Sequence, residues 1–441
     1  MMKFMLMVMF INFMFIKNWV MMFYYNLCYF MSFMIIFMYM FKDMKWIMIT
    51  YTFSCHYYSI WLIILSLWIL SLMMMCLDKF NAVKMMMFLL LLFLLMMFFM
   101  SMDLILFYLM FEISLIPTFF LIIYWGMNFE RVNASYYLLL YMLLISFPLL
   151  VYILKMFIYG MTLKFSLMVL VMKSYEFNFL GYVIIYMAFF IKMPMYIVHV
   201  WLPKAHVEAP VYGSMILAGI LLKMGSYGLI RILEIFIKSS LKYNYLFFSI
   251  GIIGSVMIGS ACLIQIDMKS LVAYSSVVHM NLMLCSMMTL FNFSFLSSYI
   301  MMISHGLCSS GLFYMVNLYY MRTGSRLLML NKGLNSKLPS LMLWWFLLCS
   351  ANFSFPFSLN FISEILMLMV IVNWDSLMMI YLLLICFFSS AYSLYLFSYV
   401  QQGSSLVMNM GYNNGMLKEY MVLMMHFFPL FMFLLNLVIF M

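Results

Sequence analysis

The chain has 441 residues, 69% of them hydrophobic and 8% charged, with a formal net charge of +10. A soluble globular protein carries about a quarter charged residues, so this composition excludes a soluble fold, and apolar stretches recurring from end to end exclude a single anchor on a soluble domain. The 22 Lys and Arg are scattered without a basic run, as expected of cations that snorkel to headgroups from loops and helix ends, and no nucleic-acid partner is expected.

A spanning helix needs roughly 20 mostly apolar residues. On that basis the sequence predicts an all-α polytopic membrane protein of about 14 transmembrane helices. The expected segments are 4–16, 19–41, 58–77, 85–102, 104–124, 135–157, 179–201, 212–237, 244–265, 270–290, 294–321, 340–372, 377–400 and 420–440. The first follows Lys3 and lacks a small-residue cleavage site, so it is expected to be retained. Lys42-Asp43-Met44-Lys45, Asp78-Lys79, Glu130-Arg131, the run from Arg322 to Arg326 and the run from Gly411 to Gly415 punctuate the chain. Loops after odd-numbered segments hold more Lys and Arg, which favours placing them in the positive-inside compartment.

A charge near the bilayer centre costs about 2.5–3.5 kcal/mol on insertion scales, so such residues pair, face the protein interior or line water. Asp103 precedes the fifth segment as a helix cap, and Glu112 lies well inside it. The seventh segment carries Lys192 next to Pro194, with His199 further on. The stretch Trp201 to Pro210, containing His206 and Glu208, is dense in rigid and ionisable residues and suggests a structured re-entry near the membrane surface. Lys223 lies inside the eighth segment, with Arg231 and Glu234 as interfacial anchors at its end. His279 and His305 fall in the tenth and eleventh. The twelfth is broken by Phe355-Pro356-Phe357 shortly before Glu364. Interrupted helices at corresponding places in two halves point to a transport site.

These residue types suit proton transfer. Burial lowers a lysine's hold on its proton and a nearby carboxylate restores it, so movement between Glu112 and Lys192 can bind or release a proton. Histidine adds relay points near neutral pH. The alternative for each group is a packing ion pair or a histidine bonded to a neighbour. The eight cysteines show no CxxC spacing and read as small buried hydrophobes. His199 and His206 lack a third close ligand. No metal, haem or iron–sulfur cluster is therefore expected, and no phosphate loop, dinucleotide glycine motif or Ser-His-Asp set is visible.

From Lys192-Met193-Pro194, through His199 and Trp201-Leu202-Pro203-Lys204-Ala205-His206-Val207-Glu208-Ala209-Pro210, to Leu221-Leu222-Lys223-Met224-Gly225 and Tyr227-Gly228, the sequence closely resembles the chain 4 family of mitochondrial NADH:ubiquinone oxidoreductase. These are antiporter-like membrane-arm subunits of respiratory complex I. Phe111 to Thr118, Asp267 to Met280 and Ser304 to Ser310 carry the same resemblance. It implies two inverted five-helix repeats with broken helices. The expected organisation is N-terminal helices over 1–82, repeats over 83–240 and 241–402, and a loop with a final helix over 403–441. It further implies a proton path through Glu112, Lys192, Lys223 and Glu364, with His279 and His305 on its connecting axis, and His199 joins the path as a relay candidate by its residue type. Phe355-Pro356-Phe357-Ser358 departs from the family's small- and proline-rich break.

The same resemblance places NADH, FMN, iron–sulfur clusters and ubiquinone on partner subunits and no cofactor on this chain. Expected partners are other complex I membrane-arm subunits, including neighbouring antiporter-like chains, accessory subunits and lipids such as cardiolipin. The expected location is the mitochondrial inner membrane, and the 60 methionines resemble those of proteins encoded in animal mitochondria. A free-standing cation/proton antiporter and a purely structural scaffold are the competing readings.

Overall fold

The computed structural model of the chain describes residues 32, 47–48, 50–77, 81–172, 175–404 and 414–440. The first two expected segments, 4–16 and 19–41, lie outside these residues but for Ser32. A short antiparallel pair, β1 (Ile47–Met48) and β2 (Ser54–Cys55), precedes the helices. These are α1 (Tyr57–Met75), α2 (Ala82–Met100), α3 (Leu104–Trp125), α4 (Arg131–Gly160), α5 (Phe165–Val171), α6 (Phe179–Lys192), α7 (Trp201–Glu208), α8 (Val211–Ile235) and α9 (Ile237–Cys262). They continue with α10 (Met268–Met288), α11 (Asn292–Thr323), α12 (Pro339–Asn352), α13 (Leu359–Trp374), α14 (Met379–Gln401) and α15 (Leu417–Leu435).

Among the described residues, 10 helices are long and apolar enough to cross a membrane, because only internally bonded backbone is tolerated in hydrocarbon. Their ends and polar side chains follow the same rule. The His56 ring caps α1 by accepting from the Tyr58 amide, while Ser59 accepts from the His56 amide. Burial pushes that imidazole down to about 3, helped by the charge of Arg231, which keeps the ring nitrogen an acceptor. Serines inside helices, such as Ser66, Ser135, Ser255 and Ser286, donate to the carbonyl three residues earlier, satisfying the hydroxyl without a second helix.

Two expected spans are interrupted. Of the segment expected over 179–201, α6 covers 179–192, and α7 begins at its last residue, Trp201. Pro194 lacks the N–H a continuing helix needs, and Ile197 takes a φ of 83°, a costly conformation for a β-branched residue. Pro203 is harmless because it falls in the first turn of α7, where an N–H has no helical carbonyl to serve. The segment expected over 340–372 divides into α12 and α13 around Pro356, with Ser354 and Phe357 at φ 58° and 77°. Asn360 donates its amide to the Ala351 carbonyl at 2.7 Å, serving a carbonyl at the C-terminal end of α12.

Two further helices run on through local irregularities. The α-helical pattern of α3 lapses at Ser114, one turn before Pro117, whose ring cannot bond back to Ile113. Helix α8 contains a π turn at Leu217–Leu221, a feature that often accompanies function.

The chain forms two compact units. The first comprises residues 1–192 and 208–243, and the second 193–207 and 244–441. In the first, α6 packs against α4 and α8, α2 against α1 and α3, and α3 against α4. Gly228 of α8 permits a close crossing with α6: a Cβ there would stand 2.3 Å from the Phe189 ring. Arg231, expected as an interfacial anchor, is instead buried with its guanidinium 4.5 Å from the Phe165 ring centroid. Asp103 precedes α3 in extended backbone but makes no side-chain cap bond. In the second unit α11 is central, packing against α10, α12, α13 and α15. Helix α15 is tied to the end of α11 by an Arg322–Glu419 ion pair.

Candidate functional site

Lys192 is the last residue of α6 and is buried. Its Nζ donates to the Phe111 carbonyl at 2.6 Å and lies 3.2 Å from the centroid of the Phe111 ring. The lapse in α3 explains why that carbonyl is available. Its other donor is the Ser114 hydroxyl at 2.8 Å. Glu112, one residue on, interacts electrostatically with Lys192. Yet no Glu112–Lys192 contact falls within ion-pair distance, and neither buried carboxylate oxygen has a hydrogen-bond partner. Ser146 of α4 lies beside this carboxylate, but its hydroxyl turns back to the Leu143 carbonyl at 3.3 Å.

Lys223 repeats the arrangement on α8. It is fully buried, and its Nζ donates to the Ala218 carbonyl at 2.6 Å. Ala218 lies inside the π turn, where wider hydrogen bonding leaves room for a side-chain donor. Lys192 and Lys223 therefore each rest on a peptide oxygen at a helix irregularity.

The second unit gathers His279 of α10, His305 of α11 and Glu364 of α13, all buried. His279 Nδ1 approaches Glu364 Oε1 at 3.1 Å without hydrogen-bond alignment. The Tyr392 hydroxyl of α14 lies 3.3 Å from His279 Nε2, and the His279 and His305 ring centroids are 5.7 Å apart. The neutral ring with its proton on Nδ1 accepts from Tyr392 at Nε2, and the charged ring donates at both nitrogens, to the carboxylate side and to the Tyr392 oxygen. Ser309 donates to the His305 carbonyl one turn along α11.

His199 lies half-buried in the break between α6 and α7, stacked on Tyr196 with centroids 5.7 Å apart and edge-on to Tyr274 of α10. His206 of α7 is buried and stacks face to face on Phe313 at 4.6 Å. Thus the first unit brings Glu112 beside Lys192, and the second brings His279, His305 and Glu364 together, with His199 contacting α10 through Tyr274. Among the described residues, no three of His, Cys, Asp and Glu converge as metal ligands.

Sequence reasoning missed the Phe111 and Ala218 carbonyls, because a free backbone oxygen has no letter. Pro117 hinted at the first, and nothing short of the helix geometry reveals the second. It also missed Tyr392, although Ser389, Tyr392 and Ser393 recur at helical spacing on α14 and are buried together.

Apolar helices with buried charges of both signs, two interrupted spans and lysines held on peptide oxygens define a membrane protein of the ion-translocating class. The family described as NADH:quinone oxidoreductase/Mrp antiporter, transmembrane, matches residues 101–393, and the one described as NADH-ubiquinone oxidoreductase chain 4, amino terminus, matches residues 1–81. The chain is 48% identical over 376 residues to NADH-ubiquinone oxidoreductase chain 4 of Ceratitis capitata, covering 84% of this chain and 83% of that one. It is 50% identical over 323 residues to the chain 4 protein of Aedes aegypti, covering 73% and 72%. The fold is shared with a chain of respiratory complex I from Thermus thermophilus, at a TM-score of 0.79 and 21% identity over 86% of this chain and 81% of that one. The chain belongs to the NADH-ubiquinone oxidoreductase chain 4 family, whose fold is that of antiporter-like membrane subunits.

Proposed function

We propose that this chain translocates protons as a membrane-arm subunit of respiratory complex I in the mitochondrial inner membrane, driven by electron transfer from NADH to ubiquinone on partner subunits. The observation that carries this reading is the Lys192 ammonium resting on the Phe111 carbonyl beside an unbonded Glu112. A buried lysine keeps its proton when a carboxylate approaches and releases it when the carboxylate withdraws. A short swing of one side chain therefore changes proton affinity. Lys223 is the next carrier, with His199, His279 and His305 as relays and Glu364 as the terminal acid.

Under this reading, residues 1–82 are N-terminal helices, 83–240 and 241–402 are inverted repeats, and 403–441 hold a loop and the last helix. In each repeat the fourth of five spans is the interrupted one: α6–α7 after α2, α3 and α4, and α12–α13 after α9, α10 and α11. NADH, FMN, iron–sulfur clusters and ubiquinone reside on partner subunits, and this chain holds no redox site. Its neighbours are other antiporter-like chains, accessory subunits and lipids such as cardiolipin.

The test is proton pumping per NADH oxidised in vesicles holding the assembled complex, with Glu112→Gln compared with unchanged protein at equal assembly. Loss of pumping with the complex intact supports the assignment. Undiminished pumping removes Glu112 from the path and favours the scaffold reading.

A further inference from the structure

The first unit contains a resting place for the proton-carrying lysine that neither its charge pattern nor its family membership specifies. We propose that Phe111 is a positioning residue that holds the Lys192 ammonium away from Glu112, making the pair a two-position device. The inference rests on the proton-translocation reading of Glu112 and Lys192.

Three features of Phe111 make the resting place. Its carbonyl accepts from Lys192 Nζ at 2.6 Å. That oxygen is exposed where α3 lapses at Ser114, and the Ser114 hydroxyl fills its second lone pair. Its ring supports the same ammonium, 3.2 Å from centroid to Nζ. A cation over an aromatic face is held by the ring quadrupole, and most strongly where water is excluded. The surroundings are dry. Phe111 lines an apolar cavity with Phe107, Leu149, Ile153 and Phe189, and its ring packs 5.3 Å from that of Phe189.

Position decides the consequence. The carbonyl and the carboxylate belong to consecutive residues of α3, so the two stations are neighbours on one helix. On Phe111 it bonds to a neutral dipole and a ring. On Glu112 it meets a full negative charge. The two stations hold its proton with different strength, and Phe111 sets the occupancy of the weaker one. Lys223 on the Ala218 carbonyl shows that a peptide oxygen serves as a lysine station twice in this unit.

The ring and the carbonyl are separable by substitution, because every residue has the carbonyl and only aromatic residues have the ring. Phe111→Leu removes the quadrupole and keeps an apolar side chain, while Phe111→Tyr keeps the ring. In assembled complex in vesicles, Phe111→Leu is expected to lower coupled proton pumping about twofold to thirtyfold, the span from an exposed to a desolvated cation–ring contact. Phe111→Tyr is expected to stay within about twofold of unchanged protein, the lower edge of that range. If the leucine variant fails to assemble, Phe111→Met, which fills the space without a ring, decides in the same way. Full pumping by the leucine or methionine variant overturns the proposal, as does equal impairment by the tyrosine variant. Glu112→Gln measured alongside keeps the two ideas apart. If it stops pumping while the Phe111 variants do not, only the resting place is refuted. If it pumps normally, the underlying reading fails.

Discussion

The contact between His279 and Glu364 supports a quantitative prediction. At 3.1 Å, opposite unit charges at an effective dielectric near 20 attract by about 5 kcal/mol before desolvation is counted. Removing both groups from water cancels much of this, and coupling energies for close charge pairs start at about 1.5 kcal/mol. We expect a coupling of about 1.5–2.5 kcal/mol between the two residues, or roughly ten- to seventyfold in coupled turnover at 1.4 kcal/mol per tenfold. The perturbations are His279→Gln, Glu364→Gln and the double variant. Gln at either position keeps hydrogen-bonding capacity while removing the charge. The assay is NADH-driven proton uptake by vesicles, normalised to assembled complex. The double variant should be no worse than the poorer single one, so its loss falls short of the product of the single losses by that factor. Strictly multiplicative losses would refute a working contact between the pair and leave it a packing feature.

Three other outcomes follow from local geometry. Lys223→Met keeps volume while removing the ammonium from the Ala218 carbonyl, and should abolish pumping while leaving the complex assembled on a native gel. Gly228→Ala puts a methyl group 2.3 Å from the Phe189 ring. It should destabilise the α6–α8 crossing by about 1–3 kcal/mol, read as a lower dissociation temperature of the detergent-solubilised complex. Asn360→Leu removes the 2.7 Å bond to the Ala351 carbonyl and leaves that oxygen the Ser354 amide at 3.3 Å, costing about 0.5–1.5 kcal/mol, and should increase hydrogen exchange across residues 349–360 relative to the rest of α13.

The sequence by itself determined the membrane class, because 8% charge cannot clothe a soluble fold, and it located the ten long apolar helices of the described residues, because about 20 apolar residues span a bilayer. It also marked Glu112, Lys192, Lys223, His279, His305 and Glu364 as candidates, because charge and imidazole are conspicuous in apolar helices. It flagged both interruptions through Pro194 and Pro356, yet not helix α7, because Trp201 to Glu208 reads as a polar loop when its partners are unseen. Only the tertiary structure decided that Arg231 is buried, because an arginine near a helix end looks the same in sequence whether it meets headgroups or the Phe165 ring. Only it paired His279 with Glu364, residues from separate helices whose approach depends on how α10 and α13 pack beside α11. And only it placed Lys192 on the Phe111 carbonyl, because the availability of a peptide oxygen depends on where a helix lapses and which side chain arrives there, and neither is written at one position of the chain.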